Sequence, residues 1–297
     1  MMKFFGRDRK SKLAGNVLGV GNCQIQGIVR CAAAALHRES AYLHAFKAKN
    51  DPELLTKAIA DASVVFVTRG GAHSRMREAA LAAGRPDLPV VAAPRVYFSG
   101  FHPDVVYPGP DGERPELPMG NANSAIILAA WREGLEPGEA ISLFRDEVYE
   151  TLGYYDVFSL AKDALGKECA SAGFDVTPLM NSWLEQGAFM YVPLHPKIHV
   201  LCDIAMTQLR LAQLHDGTQS AEPVDDELSR HLKWPVYPEI GRKLGIAGDY
   251  IFRPKNMREV PRAHLEPMDL ETFVKRTYVC FRQVPPNLSA FERLQDP

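Results

Sequence analysis

The chain has 297 residues, of which 46% are hydrophobic and 24% are charged. This balance is that of an ordinary globular protein and excludes a disordered chain or a fibrous repeat. A formal net charge of −2 and a pI near 6.5 create no overall positive field, so nucleic-acid binding and membrane-surface binding are not indicated.

The five cysteines are scattered along the chain, and none of them forms a CxxC pair. That number and spacing argue against a disulfide scaffold and against a structural zinc site. The N-terminus lacks the apolar segment of a signal peptide, and no stretch reaches the roughly 18 consecutive apolar residues of a membrane span. We therefore expect a cytoplasmic protein without membrane insertion, in which thiols stay reduced. The cysteines are Cys23, Cys31, Cys169, Cys202 and Cys280.

Strand-like and helix-like segments alternate in the first third of the chain. Helices are predicted from about Gln24 to Leu36, from Pro52 onward with Asp51 as N-cap, and after Gly71 to about Ala83. The alternation predicts an α/β fold with a parallel sheet, whose ligands bind beyond the carboxyl ends of the strands. The predicted strands are Asn16–Val20, Tyr42–Phe46, Ser63–Val67 and Pro89–Ala92.

The character of the sequence changes after Asp104. A connection rich in Pro and Gly, Pro108–Pro118, leads into segments with helical periodicity. We interpret residues 1–297 as a single domain, with an α/β core over about 14–118 and a mainly helical cover over 119–297. The predicted helices of the cover are Asn123–Arg132, Gly138–Leu152, Asp156–Ala172, Lys197–Leu214 and Leu270–Phe281.

The segment Gly21-Asn22-Cys23-Gln24 follows the first predicted strand and opens the first predicted helix. It is not a dinucleotide-binding fingerprint, because GxGxxG beginning at Gly19 requires a third glycine where Gln24 stands. A cysteine at a helix N-terminus lies near amide N–H groups and the positive end of the helix dipole, which lower the pKa of a thiol. We predict Cys23 as the nucleophile, with Asn22 and Gln24 as oxyanion donors. The alternative is a small buried residue without a catalytic role.

Two His-Pro dipeptides supply candidate bases. His102 lies in Phe98–Asp104 after the last predicted strand, and His195 lies just before a long predicted helix. A proline holds the preceding residue extended and so presents its imidazole stiffly. We predict His102, oriented by Asp104, and His195 as catalytic candidates. The alternative for each is a histidine that bonds to a loop carbonyl.

His195 and His199 also have the i, i+4 spacing of a helical metal pair, with Asp203 as a third candidate ligand. The glutamate of an HExxH motif does not follow His195, and Pro196 occupies the helix entry. We therefore predict no metal site.

These motifs, taken in order, resemble a known family. The segments Gly21–Gln24, Phe98–Asp104 and Leu194–Pro196 are similar to motifs of the WcbI-like polysaccharide biosynthesis proteins, over roughly positions 15–200. A more distant resemblance is to SGNH-type hydrolases and acyltransferases, which have a serine where this chain has Cys23. The resemblance implies an acetyltransferase of capsule assembly that uses acetyl-coenzyme A and a sugar hydroxyl.

The resemblance also implies which residues bind the acyl donor. The pyrophosphate and the 3′-phosphate of coenzyme A require cationic contacts. Arg69 with Gly70, at the carboxyl end of a predicted strand, is the first candidate, and Lys255 and Arg258 are the others. Transfer of the acyl group to Cys23 exchanges one thioester for another. Transfer onward to a sugar hydroxyl is then favourable, provided that a histidine removes the hydroxyl proton.

Three functions of different classes stay open at this point: a coenzyme A-dependent acyltransferase, a Cys-dependent hydrolase or thioesterase, and a non-catalytic sugar- or nucleotide-binding component of a capsule assembly complex. For the acyltransferase, direct transfer with a histidine base is the alternative mechanism, and Cys23 then only shapes the pocket. The expected partners are a small-molecule acyl donor, a sugar acceptor and capsule assembly proteins, and not nucleic acid.

Overall fold

The computed structural model describes residues 15–107, 117–215, 223–255 and 266–286. It confirms the predicted α/β class, with a parallel sheet in the N-terminal part and mainly helices after it. The strands of the sheet are β1 Asn16–Gly21, β2 Ser40–His44, β3 Ala62–Thr68 and β4 Val90–Ala93. The helices of this part are α1 Cys23–Ala35, α2 Ala45–Asn50, α3 Pro52–Ala60 and α4 Gly71–Ala82.

The later part of the chain is mainly helical, with two short two-stranded sheets. Strand β5 Val105–Val106 pairs with β6 Asn123–Ser124, and β7 Met190–Val192 pairs with β8 His195–Pro196, both antiparallel. The helices are α5 Ala125–Arg132, α6 Pro137–Ser142, α7 Asp146–Thr151, α8 Val157–Ser171, α9 Thr177–Glu185, α10 Ile198–Leu211, α11 Pro238–Leu244 and α12 Leu270–Gln283. None of the helices within the described ranges has both the length and the apolar character needed to cross a membrane.

The chain divides into two compact units. The first unit comprises the described residues of Met1–Val96, Gly166–Leu179 and Lys197–Asp226. The second unit comprises the described residues of Tyr97–Leu165, Met180–Pro196 and Glu227–Pro297. Two later segments of the chain thus belong to the unit that holds the sheet. The single-domain interpretation, with its boundary near residue 118, stays a prediction.

All four strands of the sheet are parallel, in the order β2-β1-β3-β4. The chain passes from β1 to β2, which lies on one side of β1, and then returns to β3, which lies on the other side. The strand order therefore reverses between β1 and β3. In open α/β sheets, ligands bind at such a reversal, outside the carboxyl ends of the strands. The residues that follow β1 and β3 therefore occupy the favoured position for a site.

Side chains of β1 alternate between the two faces of the sheet, as in any strand. Leu18 and Val20 pack against Ile59 of α3 and Met76 of α4 on one face. Gly19 lies on the opposite side of the strand from them, beneath α1. A Cβ atom there would lie 2.7 Å from Cγ2 of Val29 and 3.0 Å from Cγ2 of Ile25, both in α1. Glycine at this position lets α1 lie directly on the sheet.

Helix α10 packs on α1 within the first unit. A Cβ atom at Gly27 would lie 2.4 Å from Cδ1 of Leu201, so these two helices also approach closely. About one turn further along α1, Cys31 and Cys202 form a disulfide with a Cα–Cα distance of 5.0 Å. The expectation that the thiols stay reduced is therefore wrong for this pair. Because 171 residues separate the two cysteines, spacing alone gave no sign of it.

Most predicted elements are present, but several differ. The predicted helix Asn123–Arg132 begins only at Ala125, because Asn123 and Ser124 form β6, and the short strands β5 to β8 were not predicted. The predicted strand Tyr42–Phe46 ends at His44, where the imidazole Nδ1 accepts a hydrogen bond from the N–H of Phe46 and starts α2. The predicted helix Gly138–Leu152 is two helices, α6 and α7, separated at Leu143–Arg145. Helices α2, α9 and α11 were not predicted; α11 begins with Pro238 at its first turn and ends at Gly245 in the left-handed region, with φ 69°.

The glycine contact between β1 and α1 can be tested by a pair of substitutions. We expect Gly19→Ala to destabilise the protein by about 1–3 kcal/mol, because stiff β-branched side chains must move. The matched control is Gly166→Ala in α8, where a Cβ atom would meet nothing within 4 Å. Alanine there should stabilise the helix by about 0.5–1 kcal/mol. Thermal unfolding measures both changes, and equal shifts in the two variants would contradict the packing described.

Candidate active site at the cysteine turn

The turn between β1 and α1 places Cys23 at the first position of the helix. Asn22 is the N-cap, and its Oδ1 accepts hydrogen bonds from the N–H groups of Gln24 at 3.1 Å and Ile25 at 3.4 Å. A Cβ atom at Gly21 would lie 2.6 Å from Ile25 Cγ1, so glycine is needed where the chain turns under its own helix. The predicted strand, tight turn and helix are all present, and the thiol of Cys23 is half-buried at the carboxyl end of β1.

Gln24 is buried, and its side chain has a structural contact. Nε2 donates to the carbonyl of Val96 at 2.8 Å, and Oε1 accepts from the N–H of Val96 at 3.0 Å. This pairing holds the chain beyond β4 against the start of α1. Because the amide is engaged with the backbone through both ends, we do not retain the predicted role of the Gln24 side chain as an oxyanion donor.

The electrostatics of Cys23 differ from the sequence prediction. Burial raises the pKa of the thiol, and this is the largest effect. The backbone N–H groups of Gln24 and Cys23 lower it, and so does the charge of Arg95, but together they do not outweigh burial. The predicted effect of the helix N-terminus is therefore real, whereas the predicted net lowering is wrong. At neutral pH, Cys23 is a protonated thiol.

Two neighbours of Cys23 were missed by the sequence prediction. Arg95 is exposed just after β4, at the same edge of the sheet, and acts on the thiol electrostatically. Tyr42 of β2 donates a hydrogen bond to the carbonyl of Gly21 at 3.0 Å. Burial raises the pKa of Tyr42, and the charge of Cys23 raises it further, so the phenol lies close to the sulfur. Arg95 could have been identified from its position directly after a predicted strand, whereas Tyr42 has no sequence signal.

The predicted coenzyme A ligands Arg69 and Gly70 follow β3 at this same edge. The Arg69 guanidinium Nη1 lies 3.8 Å from Glu168 Oε2, and Glu168 Oε1 accepts from the backbone N–H of Arg95 at 3.1 Å. Both side chains of the Arg69–Glu168 pair are partly exposed, so solvent weakens it. Gly70 has φ 107°, which only glycine adopts without strain, and a Cβ atom there would meet nothing within 4 Å. The backbone beside Arg69 is thus open.

The other predicted catalytic residues belong to the second unit. His102 is 2% exposed, and neither ring nitrogen has a hydrogen-bond partner of ordinary length. Burial lowers its pKa to about 3, while the backbone of Trp234 raises it slightly. The ring is therefore neutral over the whole physiological range. The contact of His102 with the backbone of Trp234, in an irregular segment, is of the kind that the alternative predicted, a histidine that bonds to a loop carbonyl.

Asp104 does not orient His102. Its Oδ1 accepts from the hydroxyl of Tyr154 at 2.8 Å and from the N–H of Ile126 at 3.0 Å, while Oδ2 accepts from the hydroxyl of Tyr237 at 2.6 Å. Burial raises the pKa of this carboxyl, and these bonds, together with one from the side chain of Ser124, act in the opposite direction. The predicted His102–Asp104 pair is wrong in this respect. Asp104 is instead the buried acceptor that joins α5, Tyr154 and Tyr237.

His195 and Lys255 lie in the second unit as well. Burial lowers the pKa of His195 to about 4, with further lowering by His231 and then by Lys255. His195 is in β8, ahead of α10, so it does not form a helical pair with His199. Within the described ranges, no group of three His, Cys, Asp or Glu side chains could hold a metal ion. The fourth predicted phosphate ligand, Arg258, lies outside the described residues.

These features define an α/β protein with a half-buried cysteine at the turn between an inner strand of the sheet, β1, and the helix α1. The sequence model of the family described as polysaccharide biosynthesis enzyme WcbI matches residues 16–217, which is more than half of the chain. The chain belongs to the WcbI family of polysaccharide biosynthesis enzymes. This confirms the resemblance found in the sequence motifs.

A solved structure supports the fold. It is described as native WcbI, a polysaccharide biosynthesis enzyme, without a disulfide bond between coenzyme A and one of its cysteines. The two chains superpose with a TM-score of 0.61 over 94% of each, at 15% sequence identity. At this identity the likeness concerns the fold alone. None of the curated proteins matches this sequence.

The charge of Arg95 can be tested through the reactivity of Cys23. The pKa of the Cys23 thiol is raised, so alkylation of Cys23 by iodoacetamide should be slow at neutral pH. The rate should increase only when the pH exceeds the ordinary pKa of a cysteine. Arg95→Gln removes a lowering effect, so we expect alkylation about two- to threefold slower at a fixed pH, with the difference shrinking in about 1 M salt. Arg69→Gln is the control, because Arg95 is the arginine whose charge lowers the pKa of Cys23. Peptide mass spectrometry measures the rates, and faster alkylation of the Arg95→Gln protein would contradict the assignment.

The buried Asp104 cluster predicts a large stability change. Tyr237→Phe removes one hydrogen bond to Asp104 and also the acceptor of the Trp234 indole N–H, which is 3.1 Å from the Tyr237 hydroxyl. We expect a loss of about 2–3 kcal/mol. Tyr155→Phe removes a comparable bond to Asp146 at the exposed surface and should cost about 0.5 kcal/mol or less. Denaturant unfolding of the two variants measures the difference, and similar values would contradict the structural role of the cluster.

Proposed function

We propose that this protein is a coenzyme A-dependent acyltransferase, which moves an acetyl group to a sugar hydroxyl in polysaccharide biosynthesis. The observation that carries the proposal is the position of Cys23: a half-buried thiol, first in α1, at the carboxyl edge of a parallel sheet. Membership of the WcbI family supports a role in polysaccharide biosynthesis. The solved WcbI structure is described in relation to coenzyme A, which supports a coenzyme A thioester as the acyl donor.

The donor's phosphates require cationic contacts. Arg69, Gly70 and Arg95 lie at the same edge of the sheet, and the backbone of Gly70 is open. We propose that Arg69 contacts the pyrophosphate, which the pantetheine arm of coenzyme A separates from the thioester, while Arg95 lies beside the Cys23 sulfur. The Arg69–Glu168 pair is partly exposed, so releasing Arg69 costs little.

In the proposed first step, the sulfur of Cys23 attacks the thioester carbonyl and loses its proton. The carbon–sulfur bond to coenzyme A breaks, and the coenzyme A sulfur takes up a proton. The products are acyl-Cys23 and free coenzyme A. The N–H groups of Cys23 and Gln24, which act on the sulfur, and the Asn22 side chain are the proposed donors to the oxyanion.

In the second step, a sugar hydroxyl attacks the acyl-Cys23 carbonyl, the ester forms, and the thiol of Cys23 is regenerated. A base must remove the hydroxyl proton. The raised pKa of Cys23 also means that the first step needs proton removal from a thiol and not a resident thiolate. The sequence names His102 and His195 as bases, and this stays a prediction. Both rings are neutral at physiological pH, as a base requires.

The covalent route predicts an acyl-enzyme. Incubation with acetyl-coenzyme A without acceptor should add one acetyl group to the protein, and intact-protein mass spectrometry should detect it. Cys23→Ala should abolish the adduct, because the attacking sulfur is gone. Cys280→Ala removes another partly exposed thiol, away from the β1–α1 turn in sequence, and should retain the adduct.

Three outcomes separate the competing functions. Rapid release of acetate and free thiol without acceptor indicates a thioesterase. Transfer that survives in Cys23→Ala indicates direct transfer to the acceptor. If the wild-type protein neither binds acetyl-coenzyme A nor gains an acetyl group, the acyltransferase proposal is wrong.

A further inference from the structure

A cluster of cation-forming side chains lies in the second unit, away from the part of the chain that carries Cys23 in sequence. The rings of His195 in β8 and His231 are 5.0 Å apart between centroids and meet edge to face at 74°. His231 follows a single 3₁₀ turn, Glu227–Arg230. The Nδ1 atom of His195 is shielded from solvent and has no hydrogen-bond partner among the described residues. A shielded ring nitrogen without a partner costs stability, and a bound ligand atom would remove that cost.

Charges of both signs act on the two rings, but the positive charge acts on both of them. Lys255 is exposed, and its charge lowers the pKa of both His195 and His231. Burial also lowers the pKa of each ring, and His231 lowers the pKa of His195 further. Glu227 acts in the opposite direction, and only on His231. The cluster thus places one permanent cation beside two imidazoles, with one carboxylate that acts on His231 alone.

This arrangement fits an anion and not a metal ion. A metal ion would meet the repulsion of the Lys255 ammonium. An anion would be bound by that ammonium, and it would favour protonation of both imidazoles, so that each ring donates an N–H. A dianionic phosphate offers several acceptor oxygens to such donors. We propose that His195, His231 and Lys255 form a binding site for a phosphate group of a small-molecule ligand.

The identity of the phosphate rests on the proposed function, whereas its binding does not. A His195 ring that is protonated beside a bound phosphate leaves the role of base to His102. Within an acyl transfer, the phosphate belongs to a phosphate-linked sugar acceptor or to the 3′-phosphate of coenzyme A. Both present the same chemistry to the cluster, and the ligand series below separates them.

Sulfate is the first probe, because it stays a dianion from about pH 8 to about pH 6. Any pH dependence of its binding therefore comes from the protein. Imidazole signals of the full chain are followed by NMR during titration. We expect the His195 and His231 signals to shift, and the affinity to rise as the pH falls, by up to about tenfold per pH unit for each proton taken up.

Substitutions test the three side chains. Lys255→Gln is exposed and should fold normally, and we expect it to weaken sulfate binding about tenfold. Lys275→Gln removes the same charge from α12 and should leave the affinity unchanged. His231→Gln should remove one of the two protons that binding takes up, and with it about half of the pH dependence. Equal weakening by the two lysine variants, or titration without shifts of His195 and His231, would overturn the proposal.

The ligand series compares coenzyme A, 3′-dephospho-coenzyme A and a nucleoside diphosphate sugar. If Lys255→Gln weakens the binding of coenzyme A but not that of 3′-dephospho-coenzyme A, the site binds the 3′-phosphate of the donor. An effect confined to the nucleotide sugar assigns it to the acceptor. Binding of all three without any effect of Lys255→Gln rejects the site. Sulfate binding should persist in Cys23→Ala, so loss of the acetyl adduct tests the proposed function separately.

Discussion

The close approach of α1 to β1 is the constraint on which the arrangement of the first unit depends. The side chains of Ile25 and Val29 leave no room for a Cβ atom at Gly19, and Ile25 leaves none at Gly21. The helix therefore begins immediately after the strand, with a single residue, Asn22, between them. Cys23 is then fixed at the carboxyl edge of the sheet, between the residues that follow β3 and those of β2. A longer turn would move the sulfur away from Arg95 and Tyr42.

Competition between burial and polar contacts sets the chemistry of both units. At Cys23, burial outweighs two backbone N–H groups and one arginine, so the thiol stays protonated. Asp104 shows the same competition in the interior, where burial outweighs four hydrogen bonds and raises the pKa of the carboxyl. In both cases the ionised form of the group is disfavoured in the protein as it stands, because the surrounding polar contacts do not compensate for the loss of water.

Several predictions from sequence depended on local rules, and those were confirmed. The alternation of apolar runs gave the four strands within a few residues, because buried parallel strands need continuous hydrophobic sequence. Asp51 and Pro52 marked the start of α3 through capping, which involves only neighbouring residues. The position of Cys23 at a helix start followed from the same kind of local signal. The split of Gly138–Leu152 into two helices was missed, since helical residues continue on both sides of the break.

Contacts between distant segments could not be read from the sequence. Tyr237 reaches Asp104 across 133 residues, and the amide of Gln24 pairs with Val96 across 72. The sequence placed Asp104 beside His102 because they are two residues apart. The tertiary structure gives the carboxylate to two tyrosines instead. The pairing of Cys31 with Cys202 has the same origin.

By itself, the sequence determined the α/β class, the strand–turn–helix that carries Cys23 and the family, because these depend on short-range patterns and motif order. Only the tertiary structure decided the protonation of Cys23, the partners of Asp104 and the grouping of His195 with His231 and Lys255. The physical reason is that desolvation and charge interactions depend on what surrounds a group in space. That environment is assembled from segments far apart along the chain.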